Sequence, residues 1–145
     1  MKPTIKPTIL VLSILLVFTS AKPVKENKLT GTWKLVSGEI DGKSAPKVLM
    51  DRTMEFKPDQ TFEGLINLHK GAQPYNSGMF FLPDDTTMVT LHTNRSGKFA
   101  KTAFTYNFEI KSDSLHLYGE YLVPVPGIPV IMRKVYMDEW WVKLP

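Results

Sequence analysis

The sequence predicts an all-β domain, an eight-stranded antiparallel up-and-down barrel, and three observations carry that expectation. First, Leu29-Thr30-Gly31-Thr32-Trp33-Lys34-Leu35-Val36 reads as an opening strand. Trp33 and Leu35 share one face of it, and Thr32 and Lys34 take the other. Second, seven further segments alternate apolar and polar residues with period two, mostly separated by short clusters of Asp, Gly, Pro and Ser. Third, no stretch keeps a helical apolar period for more than two turns. Eight strands with local connections suffice to close a barrel and remove the exposed edges of a sheet. A two-layer sandwich accommodates the same alternation but calls for longer crossovers than these turns supply.

Ahead of the domain the sequence reads as an address. Lys2 and Lys6 precede an unbroken run of apolar or small residues over 9–18, and Thr19-Ser20-Ala21 follows. A basic start, a short apolar run and a small residue before the cut predict a cleavable signal peptide over residues 1–21, hence a secreted or periplasmic protein. The run falls short of the roughly 20 apolar residues that span a bilayer, so no membrane span is expected after cleavage. Residues 22–28 form a polar, proline-containing linker. Residues 29–145 then make one domain, long enough to bury a core. Loss of Lys2 and Lys6 lowers the net charge from +4 to about +2. The remaining basic residues are scattered, with no run longer than Arg133-Lys134, which argues against a nucleic-acid partner. The chain has no cysteine. Packing alone must hold it, which suits bacterial export better than a disulfide-stapled extracellular domain.

The elements follow in order. The first strand spans residues 29–40 and ends at the turn Asp41-Gly42. Ser44-Ala45-Pro46 lengthens the connection, and residues 47–50 form a short irregular or helical piece. Residues 52–57 and 61–68 make a hairpin around Pro58-Asp59-Gln60, where proline presets the turn. Met54 and Phe56 share a face on one strand, and Phe62, Gly64, Ile66 and Leu68 on the other. Residues 69–77 have turn composition and read as a loop. Residues 78–82 and 86–93 pair around Pro83-Asp84-Asp85, with Met88, Thr90 and His92 on one face of the second. After a loop over 94–101, residues 102–110 place Phe104, Tyr106, Phe108 and Ile110 together. Residues 111–114 turn the chain into a strand over 115–123. Pro124, Pro126 and Pro129 interrupt pairing. Residues 130–143 form the last and longest strand, ending in Trp140-Trp141, which as neighbours point to opposite faces.

Gly31-Thr32-Trp33 on the first strand of an eight-stranded meander resembles the lipocalin and broader calycin barrels. With the late Asp113-Ser114-Leu115-His116-Leu117 and a terminal Trp-rich strand, the chain looks more specifically like the lipocalin-like domains of secreted bacterial proteins of unassigned function. The resemblance covers residues 29–143. It implies that Trp33 packs at the closed end of a barrel with a basic side chain across it. Arg133 is the candidate on the last strand, or Lys134 in a different register. The mid-chain Thr-Asp-Tyr signature of lipocalins is absent, so the resemblance carries over no ligand.

The chemistry points to binding rather than catalysis. His69, His92 and His116 fall on separate elements without the local spacing of a metal site. There is no Gly-x-Ser-x-Gly elbow, phosphate loop or thiol nucleophile. No catalytic residue, metal or cofactor is therefore expected. The inward faces gather Phe62, Ile66, Met88, Thr90, His92, Tyr106, Phe108 and Tyr121. These are candidate walls of a cavity for a small hydrophobic or amphipathic molecule. A barrel of this size is equally able to fill itself with its own side chains. The filled alternative is a protein- or glycan-interaction module acting through an outward tryptophan and the loop over 124–129. Oligomeric state is not legible.

Overall fold

The computed structural model describes residues 27–94, 97–125 and 127–145. The signal peptide expected over 1–21 and most of the linker over 22–28 lie outside the described residues. Among the described residues nine strands follow one another: β1 (Gly31–Ile40), β2 (Lys43–Ser44), β3 (Arg52–Phe56), β4 (Thr61–Leu68), β5 (Gly71–Phe81), β6 (Thr87–Thr93), β7 (Phe99–Lys111), β8 (Ser114–Val125) and β9 (Ile128–Lys143). A 3-10 turn, Lys47–Leu49, precedes β3. Every pairing is antiparallel, and each strand from β3 onward pairs with the next. β1 pairs with both β3 and β9, which closes an eight-stranded barrel, while β2 is a short flap on β1.

Period-two alternation sets what lies inside. Trp33 and Leu35 of β1, Met54 and Phe56 of β3, Phe62 of β4 and Phe80 of β5 belong to one buried cluster with Met88, Tyr106, Phe108, Leu115, Leu117 and Trp141. The closed end is built on Trp33, which is 0% exposed. Its indole N–H donates to the Leu29 carbonyl at 2.7 Å, so the segment before β1 is tied across the barrel's base.

The side chain over Trp33 is not Arg133. β1 and β9 are antiparallel with Trp33 opposite Lys143, so the C-terminal end of β9 reaches the indole and Arg133 lies far along the strand. Lys143 Nζ sits 5.5 Å from the Trp33 ring centroid. Gly31, at φ +128°, leaves room for that lysine: a Cβ there would lie 2.8 Å from Lys143 Cε. Arg133 instead pairs with Asp41 at 3.2 Å, and Lys134 with Glu120 at 2.7 Å, both exposed.

Three expected loops are shorter than their composition suggests. Residues 71–77, expected as loop, belong to β5. Pro74 is tolerated there because it is exposed beside a register shift, and β6 pairs with β5 only from Gly78 onward. Pro124 and Pro129 lie within β8 and β9 rather than interrupting the sheet, with Pro124 opposite Met132 and Val125 opposite Ile128, past a register shift, while Pro126 lies outside the described residues. Gly127 at φ +79° provides the tight turn. The expected loop is thus the tip of the β8–β9 hairpin. The loop over 94–101 also shortens, because β7 begins at Phe99.

Candidate functional site

The inward residues leave a cavity of about 100 Å³ in the barrel, partly open to solvent. On its wall lies a buried ion pair. Arg52 donates through Nη2 to Glu139 Oε1, and Glu139 is only 4% exposed. Arg52 Nε also donates to the Leu49 carbonyl of the 3-10 turn at 2.5 Å. The guanidinium lies over the rings of Tyr75 and Trp141, 5.5 and 5.6 Å from their centroids. Burial works against the Arg52 charge, yet Glu139 and Tyr75 hold its pKa above the ordinary value. Burial pushes the Glu139 carboxyl upward, and Arg52 pulls it back. Neither charge is tolerable alone in such a place; together they sum to zero.

Tyr75 and Asn76 reach the cavity through a β-bulge. Pairing passes from Gly64↔Asn76 to Leu65↔Pro74, so Tyr75 is an extra residue on β5. Strand neighbours ordinarily face opposite sides. A bulge re-aims them, and here both side chains line the cavity. Gly64 provides the seat: a Cβ would lie 2.0 Å from Asn76 Oδ1 and 2.5 Å from the Tyr75 ring. Tyr75 Oη and Asn76 Oδ1 are buried without a hydrogen-bond partner among the described residues, as is Trp141 Nε1. The indole lowers the Glu139 pKa slightly, although its N–H falls outside hydrogen-bond geometry. Burial raises the Tyr75 hydroxyl to about 12, and the neighbouring Arg52 and Asn76, although outside hydrogen-bond geometry with it, pull it back only in part.

A second group surrounds His92. Its Nε2 lies 3.1 Å from the Thr90 hydroxyl. Its ring packs edge-on against Phe62 and Phe104, with centroids 5.3 and 5.1 Å apart. Burial lowers the His92 pKa from its ordinary value, which favours the neutral ring. Burial raises the hydroxyls of Tyr106 and Tyr121, which keep their protons. Every ionisable side chain lining the cavity is therefore neutral or paired with its opposite. Among the described residues no group of three or more His, Asp or Glu is placed to hold a metal ion.

No family model matches the chain, and no curated protein matches it in sequence. Its structure is similar to the crystal structure of a lipocalin-like protein from Bacteroides uniformis, with a TM-score of 0.55. The two are 17% identical, and the match covers 81% of this chain and 100% of the other. The fold is lipocalin-like.

Six of the eight expected wall residues line the cavity of this lipocalin-like fold: Phe62, Met88, Thr90, His92, Tyr106 and Tyr121. Ile66 is buried but not on its wall. Phe108 borders a second space of about 340 Å³ with Leu29, Phe80 and the turn residues Gln60 and Asp84. That space is larger, but exposed turns supply part of its boundary, so it is a depression at the closed end rather than the barrel interior. Sequence reading missed Arg52, Tyr75, Asn76 and Glu139. Period two was signal enough for two of them, since Arg52 alternates with Met54 and Phe56, and Glu139 with Met137 and Trp141. Outside the barrel, Trp140 is the exposed member of the tryptophan pair. It stacks on His116 with centroids 4.1 Å apart and 6° between planes, and His116 Nε2 lies 3.0 Å from Asp138 Oδ1.

Proposed function

We propose that this barrel binds a small amphipathic molecule and carries or stores it without transforming it. The observation behind the proposal is one cavity that is aromatic and apolar over most of its wall and polar where Arg52, Tyr75, Asn76 and Glu139 meet. Apolar walls with a few placed polar groups are the usual make-up of a ligand pocket. At about 100 Å³ it is smaller than the apolar cavity of about 150 Å³ that accommodates benzene, so the part of the ligand it encloses is at most one ring or a short chain, the remainder reaching solvent through the open side. A carrier role is supported by the state of the ionisable groups. Arg52 and Glu139 are committed to each other, and His92 is shifted toward its neutral form by burial, with the Thr90 hydroxyl beside its Nε2. We further propose export through the leader over residues 1–21, on the strength of Lys2, Lys6, the apolar run and Ala21.

Organic extraction of the purified protein followed by mass spectrometry tests the binding role, together with displacement of a fluorescent apolar probe. A co-purifying small molecule or saturable probe binding is expected. An empty extract and no binding across a hydrophobic library overturn it. Cell fractionation tests export, with a mature N-terminus at Lys22 expected.

A further inference from the structure

We infer that the bulge at Tyr75 and Asn76 forms a head-group site for an uncharged hydrogen-bonding group, a hydroxyl or amide, and rejects a carboxylate or an ammonium. This rests on the ligand-binding reading above and says which end of the ligand the protein reads.

Four observations converge. Tyr75 Oη and Asn76 Oδ1 are buried and fall outside hydrogen-bond geometry with every partner among the described residues, each other and the neighbouring Arg52 included, and both side chains line the cavity. A buried polar atom left unpaired is costly, so two of them on one wall mark where a ligand's polar atoms belong. Between them they offer what a hydroxyl or amide needs: a phenol that donates or accepts, and an amide oxygen that accepts. Gly64 and the extra residue on β5 together create this arrangement, because a side chain at position 64 would occupy the seat of both groups. Bulges commonly re-aim side chains beside functional sites.

The exclusion of charge follows from Arg52. Its cation is the obvious anchor for a fatty-acid-like carboxylate, but Glu139 already holds Nη2 and the Leu49 carbonyl holds Nε. An incoming carboxylate would meet the Glu139 charge in a buried setting, and an ammonium would compete with Arg52 for it. Neither finds an unspent counter-charge, whereas a neutral head requires none. Thr90 and His92 add neutral partners on the same cavity.

The test uses four probes of one shape: toluene, benzyl alcohol, benzoate and benzylammonium. Binding to the full-length barrel is measured at pH 7.5 by calorimetry and ligand-observed NMR. Benzyl alcohol is expected to bind about tenfold or more tighter than either ion, and tighter than toluene. Tyr75→Phe keeps the ring and removes the hydroxyl, so it should weaken benzyl alcohol severalfold and leave toluene unchanged. Glu139→Gln keeps the shape and frees the Arg52 charge, so benzoate should gain about tenfold over the unmodified protein. Should Glu139→Gln fail to fold by circular dichroism, the Tyr75→Phe comparison decides alone. Toluene binding with benzoate equal to or tighter than benzyl alcohol overturns the head-group assignment and leaves the ligand barrel standing. Failure of all four probes removes both.

Discussion

Trp33 and Lys143 form the smallest unit on which the closed end depends. Trp33→Ala should destabilise the protein by about 3–5 kcal/mol in urea unfolding, the range for emptying a core aromatic site. Lys143→Ala should cost about 0.5–1 kcal/mol through the lost cation–π contact, and Arg133→Ala less than about 1 kcal/mol, as for an exposed ion pair. The indole was legible in the sequence and its cationic cover was not, because choosing between Arg133 and Lys143 needs the β1–β9 register. The interior ion pair makes a sharper case. Arg52→Met alone strands a buried carboxylate and should cost about 3–5 kcal/mol, whereas Arg52→Met combined with Glu139→Met should recover much of that loss. His92 supplies the pH dependence. Its folded pKa is depressed below 6.5 by burial, so below that value the unfolded chain binds a proton that the folded one resists. This contribution to stability is present above pH 6.5 and is lost as pH falls through the folded pKa. The urea midpoint of the unmodified protein should therefore fall more steeply from pH 7 to 5 than that of His92→Phe, and parallel slopes would refute the assignment.

β5 is the element in which sequence and structure part most clearly. Its composition, His69 to Ser77 with Gly71 and Pro74, is that of a loop, and local propensity cannot reveal that β4 supplies a partner along it. Only the tertiary pairing Leu68↔Gly71 through Gly64↔Asn76 makes it a strand. Tyr75 and Asn76 were hidden by the same reading, since alternation in a segment taken as loop carries no inside or outside. By contrast β4, β6 and β7 alternate cleanly, and their inward residues were legible. Two glycines test how β5 is seated. At Gly78 an added Cβ would meet the Leu91 carbonyl oxygen at 2.0 Å, which is backbone of the paired strand and cannot swing away. At Gly64 it would meet the Asn76 and Tyr75 side chains, which can. Gly78→Ala should thus lower the melting temperature more than Gly64→Ala. Gly64→Ala should instead expel the two polar side chains and lower benzyl alcohol affinity while the barrel stays folded. Equal melting losses with unchanged binding would contradict this account of the bulge.

At the scale of the whole molecule, the number of barrel strands, their order and their closure were legible, because each turn joins neighbours and eight strands suffice to close a sheet, but the register in which the first strand meets the last was not. That closure depends on the final residues. Trp33↔Lys143 and Leu35↔Trp141 seal β9 to β1, while Leu115↔Trp141 and Ser114↔Val142 hold it to β8. Trp141 is buried and contributes to the cation–π stack on Arg52, and the Leu144 N–H donates to the Thr32 carbonyl at 2.8 Å. A chain ending at Glu139 loses all of these and exposes the edges of β1 and β8 at the end where Trp33 is packed. It should show no cooperative unfolding transition and should bind a hydrophobic dye, the behaviour of a collapsed but unpacked state. The β8–β9 hairpin tip provides the contrast: beyond Glu120↔Tyr136 the strand pairings of the described residues run only between these two strands, and the exposed Arg133–Asp41 ion pair links the tip to the turn after β1. Replacing residues 123–133 by a two-residue Asn-Gly turn between Leu122 and Lys134 should therefore preserve a cooperative transition. A cooperative, dye-silent protein truncated after Glu139 would mean that β1 and β9 do not carry the closure. The contact is among the most distant in sequence that the chain makes, so refolding of the full domain should be correspondingly slow, in about milliseconds to seconds by stopped-flow fluorescence of its tryptophans.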